Sequence, residues 1–294
     1  MAVVAPAGPP DPDTYRSGLA ILAARYTLVH VYQPPSSGGE PAGALPYLAD
    51  ADERRAEQLN GALRDPEVEA IFCARGGYGA MRILPLLDGE ALVRRRPPLV
   101  GFSDVTVLHA WAARLGVPTV HGPVVTQLPR LPEDEVRSLC ALLEGTALPR
   151  LDRLRCVSPG QARGPLWGGN LTLLSHLCGT PHLPDLAGHV LLLEEIGEAP
   201  YRLDRMLTQL RLAGVLTHVA GIVVGELLDC DAPGISAERV VCDRLSDLGV
   251  PVICGAPIGH GARNIALPLG ENARLDATRG VLTIASPEEA KPEA

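Results

Sequence analysis

Three polar residues stand out by type and place: Ser103, Glu194 and His260. Each follows an apolar run that reads as a buried strand. Pro98-Leu99-Val100-Gly101-Phe102 precedes Ser103, Val190-Leu191-Leu192-Leu193 precedes Glu194, and Val252-Ile253-Cys254-Gly255 runs toward His260. In open α/β sheets, ligands bind at the carboxyl edge of the strands. A hydroxyl, an imidazole and a carboxylate gathered there can act as nucleophile, base and orienter. The hydroxyl attacks only when a base takes its proton, and neutral imidazole does so near neutral pH. The carboxylate holds the ring tautomer and stabilises the imidazolium.

Each residue also has a plainer role. Ser103-Asp104 reads equally as a helix cap. A carboxylate after an apolar strand can cap a helix or pair with a cation, and Glu195 and Glu198 compete with Glu194. A histidine between glycines can serve a turn. His121, just past another strand, and His109, on the helix after Ser103, are rival bases. No HExxH or similar short ligand pair is present, so no metal or other cofactor is expected. Gly-Phe-Ser-Asp-Val lacks the second glycine of the G-x-S-x-G elbow, which disfavours an α/β-hydrolase despite the shared Ser-acid-His order.

Strands and helices alternate along the chain. Ala2–Ala5, Thr27–Tyr32, Val68–Ala74, Leu99–Phe102 and Pro118–Val120 read as strands. Helices are expected after Asp13, after Asp50, after Ser103 and over Glu133–Leu143. The pattern predicts an α/β protein whose N-terminal domain (1–145) is a doubly wound, mostly parallel sheet. Residues 146–164 are loop-like and basic, and read as a linker. A C-terminal α/β domain (165–294) follows. Its strands fall at Val190–Leu193, Ala220–Gly225 and Val252–Gly255, and closing antiparallel strands at Ala266–Leu269 and Val281–Ile284. Arg75-Gly76-Gly77-Tyr78-Gly79 follows a strand and can aim N–H groups at an anion, or simply turn the chain. Ser36-Ser37-Gly38-Gly39, in a loop over Pro34–Gly43, lacks the GK[ST] ending of a phosphate loop. Glu288–Ala294 reads as a frayed end.

Composition narrows the classes. The 294 residues are 46% hydrophobic and 20% charged, as in globular proteins. A net charge of −8 and 3% aromatics argue against nucleic acid or an anionic membrane as partner. Seven scattered cysteines, without a CxxC pair, suit free thiols in a reducing compartment. With no signal peptide or long apolar run, the expected location is cytoplasmic.

At this level of detail the chain resembles the LD-carboxypeptidases of murein recycling. The resemblance covers nearly the whole chain. It runs through Asp65-Pro66, Arg75-Gly76-Gly77-Tyr78-Gly79, Gly101-Phe102-Ser103-Asp104 and His121-Gly122-Pro123. It continues through Gly168-Gly169-Asn170-Leu171, Leu193 to Arg202, and Gly255 to Gly261. It implies a serine peptidase with a triad of Ser103, Glu194 and His260, split between two domains, with no metal. It implies an oxyanion hole made by the backbone N–H groups of Gly77 and Asp104. The implied partners are a murein tetrapeptide, cleaved between meso-diaminopimelate and the terminal D-alanine, and a second copy of the chain as a homodimer. Arg75 and Arg202 are candidates for holding the substrate carboxylate, with structural ion pairs as their other role. A related microcin-immunity branch shares the triad and cleaves aminoacyl-nucleotide conjugates. A murein-peptide binding protein without turnover is a further alternative. The Glu-Ile-Gly-Glu-Ala-Pro-Tyr-Arg run from Glu195 to Arg202 looks more like the murein branch.

Overall fold

The computed structural model describes residues 1–34 and 45–285. The Ser36–Gly39 stretch and the segment Glu288–Ala294 lie outside the described residues.

The first sheet is built from β1 (Ala2–Val4), β2 (His30–Val31), β3 (Ile71–Cys73), β4 (Leu99–Gly101) and β5 (Thr119–His121). These five are parallel, in the order β5-β4-β3-β1-β2. Every residue of β1, β3, β4 and β5 is buried, as expected of parallel strands covered by helices on both faces. Strand order reverses between β1 and β3, and that switch point is where such sheets open a crevice.

Helices α1 (Pro12–Ala23), α2 (Asp52–Arg64), α3 (Ala80–Ile83), α4 (Gly89–Arg95), α5 (Thr106–Arg114) and α6 (Glu133–Leu143) join these strands. The cap of α1 is Asp11, not Asp13: its carboxylate accepts the Thr14 N–H at 3.0 Å. Pro12 is suited to the first helical position, which moves the cap one residue before it.

The second sheet has eight strands. They include β6 (Arg150–Leu151), β7 (Arg155–Ser158), β8 (Gln161–Asn170), β9 (Val190–Ile196), β10 (Gly221–Leu228) and β11 (Val252–Cys254). Helices α7 (Leu171–Leu177), α8 (Pro200–Leu212) and α9 (Ala237–Leu245) lie among them in sequence. Three further strands end the described chain: β12 (Leu267–Leu269), β13 (Asn272–Asp276) and β14 (Val281–Ile284). Strands β8 through β11 are parallel neighbours, while β7, β13, β14 and β6 extend the sheet antiparallel at its two ends.

The stretch 146–164 contributes β6, β7 and the start of β8 to this sheet. Arg150, Arg155 and Arg163 occupy exposed strand positions, so its composition hides its strand character. Strand β12 returns to the first sheet and pairs antiparallel with β5. The chain is thus an α/β protein of two domains, one on a mostly parallel sheet closed by an antiparallel strand and one on a mixed sheet with a parallel centre and antiparallel ends.

Packing joins the halves. Residues Thr106 to Ala112 of α5 are all buried, and α5 packs against α7. One apolar cluster contains Val4, Leu99 and Leu108 of the first half together with Leu191, Leu207 and Val223 of the second. Burying each such side chain contributes about 1.5–3 kcal/mol, so the halves share one core.

Candidate active site

Ser103 opens a single 3-10 turn, Ser103–Val105, between β4 and α5. Its φ is +63°, in the left-handed region. A β-carbon there costs about 1–2 kcal/mol, so surrounding contacts must hold the conformation. Neither the turn nor α5 uses Ser103 as its cap. The Gly76 backbone lies directly alongside. A methyl group at Gly76 would fall 2.9 Å from Ser103 Cβ and 3.1 Å from its Oγ. Gly77 has φ +96° and faces the loop after β1, where the Gly8 N–H donates to Gly76 O at 2.9 Å. The glycine turn thus sits at the switch point between β1 and β3.

Asp104 turns its side chain inward and accepts the Ala80 N–H at 2.8 Å, which ties the start of α3 to the serine turn. Burial pushes its carboxyl up to about 6, opposed by the Ala80 N–H and the Arg55 guanidinium.

On the other side, Glu194 lies within β9, fully buried, two residues before the strand ends. Its Oε2 accepts from His260 Nδ1 at 2.8 Å. An ionised carboxylate has no proton to donate, so the ring proton sits on Nδ1 and leaves Nε2 as the basic nitrogen. Glu195, on the opposite face of β9, serves a structural role. It accepts the Asn170 side-chain amide at 2.8 Å, the Thr172 N–H at 2.7 Å and the Ile196 N–H at 2.9 Å. Burial raises its carboxyl, and these bonds, from the Ile196 N–H and from the start of α7, oppose the rise.

The two sides meet through Phe102 and His260, whose ring centroids are 4.7 Å apart. Ser103, Phe102, Gly77 and His260 line one cleft of about 540 Å³. A network from the first half carries the His260 loop. Gln127 donates to Gly259 O at 3.1 Å and accepts from Asn264 Nδ2 at 2.8 Å. Asn264 Oδ1 accepts the Gly259 N–H at 3.1 Å. Buried Glu135 accepts the Asn264 N–H at 2.8 Å and pairs with Arg263.

Comparison with known proteins agrees with this architecture. Residues 1–122 match the LD-carboxypeptidase N-terminal domain, and residues 163–275 match the C-terminal domain. The chain belongs to the LD-carboxypeptidase family. A putative carboxypeptidase of Synechocystis is 41% identical over 81% of this chain and 79% of its own. The murein tetrapeptide carboxypeptidase of Pseudomonas aeruginosa is 34% identical over 95% of this chain and 94% of its own. The crystal structure of the Oxalobacter formigenes muramoyltetrapeptide carboxypeptidase superposes with a TM-score of 0.86 at 29% identity, covering 97% of this chain and 99% of that one. MccF, in complex with glutamyl sulfamoyl guanosine, shares the fold at a TM-score of 0.85 and 20% identity, covering 97% and 95%.

The other residues singled out by sequence take distinct places. His121 is fully buried, and burial holds it well below the usual histidine range. His109 is buried too, bonds to Gly101 O at 2.9 Å, and is pushed down to about 4. Glu198 pairs with Arg202 at 3.3 Å on the exposed start of α8. Arg75 lines the cleft and donates to Pro9 O at 2.7 Å.

Sequence reasoning missed Arg130, Asp11 and Thr14, which also line the cleft. It missed Gln127, Glu135 and Asn264 as well; isolated polar residues far apart in the chain carry no local signal. Among the described residues, no group of three or more His, Cys, Asp or Glu is arranged to hold a metal ion, and no helix is long and apolar enough to cross a membrane.

Proposed function

We propose that this chain is a serine-type LD-carboxypeptidase that releases the terminal D-alanine of murein tetrapeptides through an acyl-enzyme. The observation that carries the reading is the 2.8 Å bond from His260 Nδ1 to Glu194, in a ring that also touches Phe102, the neighbour of Ser103. Ser103 Oγ attacks the carbonyl carbon of the L-centre of meso-diaminopimelate, and its proton passes to His260 Nε2. The Gly77 and Asp104 N–H groups receive the oxyanion, at roughly 3 kcal/mol of transition-state stabilisation per donor. His260 then protonates the departing amine, D-alanine leaves, and a water activated by the same ring hydrolyses the ester. Glu194 stabilises the imidazolium throughout. Arg75 and Arg130, on the cleft wall, are placed to attract the free carboxylate. Arg202, paired with Glu198 outside the residues lining that cleft, has the structural role. The relatives' names support the murein substrate, and the family resemblance supports a homodimer and a cytoplasmic setting.

The test is D-alanine release from a murein tetrapeptide by the purified chain and by Ser103→Ala. The variant should lose about 10³-fold or more of the activity while its melting temperature stays put. Undiminished release would remove Ser103 from the mechanism. Faster turnover of an aminoacyl-nucleotide conjugate than of the tetrapeptide would move the chain to the microcin-immunity branch.

A further inference from the structure

Away from the cleft, two thiols face each other. Cys242 lies in α9 and Cys254 is the last residue of β11; their Sγ atoms are 3.6 Å apart. Both are free. Cys254 is almost wholly buried, whereas Cys242 is partly exposed. Arg155, on the edge strand β7, donates from Nη2 to Cys242 Sγ at 3.3 Å and also pairs with Glu238 one turn earlier on α9. The guanidinium thus holds the thiol that keeps an exposed edge, and the thiolate is the form that attacks an oxidant. A cavity of about 540 Å³ reaches this region, lined by Cys254, Glu238, Gly255 and Gly261 among others. Cys254 thus borders the cavity as the sheltered thiol, while the partly exposed Cys242 is the one a small polar oxidant meets first. Glycine follows Cys254 directly, and the chain then runs through Ile258, whose carbonyl accepts the Glu226 N–H at 2.9 Å, to His260.

We propose that Cys242 and Cys254 form a peroxide-oxidisable dithiol that closes to an intramolecular disulfide between α9 and the root of the His260 loop. The Cys242 thiolate attacks one oxygen of a hydroperoxide, forming the sulfenic acid and releasing hydroxide or alkoxide, which takes up a proton. Cys254 sulfur then attacks the sulfenic sulfur. The S–S bond forms, the S–O bond breaks, and the Cys254 proton leaves with the hydroxyl as water. In sum, two thiols lose two electrons and two protons, and the peroxide is reduced to water, or to water and an alcohol. Closing the bond brings the sulfurs from 3.6 Å to about 2 Å. Strand β11 is held between β10 and β7, so α9 makes the adjustment.

The experiment uses the full chain, reduced and then treated with hydrogen peroxide. Maleimide-reactive thiols are counted in denaturant, and peptides are mapped by mass spectrometry. The expected count falls from seven to five, with a Cys242–Cys254 cross-linked peptide, and dithiothreitol restores seven. Cys156→Ser, which removes the exposed neighbour, should still lose two thiols. Cys242→Ser and Cys254→Ser should each form no cross-link at the remaining position. Arg155→Ala should oxidise several-fold more slowly. Retention of seven thiols, sulfinic acid at Cys242 in place of a disulfide, or a disulfide to Cys156 would overturn the proposal. Oxidation of Arg155→Ala at the rate of the parent would overturn the part given to the thiolate. The readout is thiols and not turnover, so the result is independent of whether the chain releases D-alanine.

Discussion

Ser103 and His260 each follow a parallel strand, yet they are held in place in opposite ways. The serine turn is set by backbone close at hand: a positive φ, the glycine turn alongside, and Asp104 reaching back to the Ala80 N–H. The histidine loop is set by side chains from the other half, Gln127 and Glu135, acting through Asn264 and Gly259. One corner depends on steric closeness and the other on a polar latch across the two domains. The site is therefore rigid by construction at the serine and dependent on the domains staying together at the histidine.

Substitutions can break this contrast. The largest effect is expected within the Glu194–Glu195 pair. Glu194→Gln should lower kcat about 10⁴-fold with the melting temperature unchanged, because the amide no longer stabilises an imidazolium. Glu195→Gln should leave kcat within a few-fold and cost about 2 kcal/mol in denaturant unfolding, since an amide NH₂ would face N–H donors. Reversed phenotypes would exchange the roles of the two residues.

Gly76→Ala probes the serine corner. Gly76 needs no left-handed φ, so the added methyl's closest clash is with Ser103. A kcat drop of about 10²–10³-fold with little loss of stability is expected from displacement of the nucleophile. An activity near that of the parent would show that the corner yields.

Asp104 gives a pH signature. Its folded carboxyl titrates near 6, above the ordinary 3.8, because it is buried. At this carboxyl the folded state binds more protons than the unfolded one between those values, so its contribution to stability is lost as pH rises through that window. The loss is about 3 kcal/mol for a shift of this size. Buried His109 and His121 act in the opposite sense over the same range, so the test is a difference: in urea unfolding from pH 4 to 7, Asp104→Asn should gain stability relative to the parent as pH rises, by about 3 kcal/mol across the window. An equal slope in both would assign it elsewhere.

The smallest effect belongs to the latch. Gln127→Leu should lower kcat about tenfold with KM within about twofold, because the ring is mispositioned while Arg75 and Arg130 on the cleft wall are untouched. Combined with Asn264→Leu, the losses should be less than additive, as for groups in one network. Strict additivity would show that the two residues act separately.

Much of the first sheet was legible in the sequence because β1, β3 and β4 are short, wholly apolar strands that lead into glycine or proline turns. The glycine turn, Ser103 and the Gly-His-Gly loop were legible for the same reason: each is a contiguous run. Strands β6 and β7 were not, because edge strands with one wet face lack a long apolar run. Helix α4 and strand β13 were missed as well; seven and five residues are too few to establish a period.

The alternating α/β pattern, the family motifs and the nearness of the three polar residues to apolar strands are readable from amino-acid order, because these are local patterns; that β9 runs on through Glu194 to Ile196 is not. Only tertiary structure decided between Glu194 and Glu195. Neighbours on a strand face opposite ways, and which face meets His260 depends on how the domains pack. The same holds for the burial of His121 and for the Gln127–Asn264 latch: each depends on contacts between residues distant in the chain, brought together by a shared core.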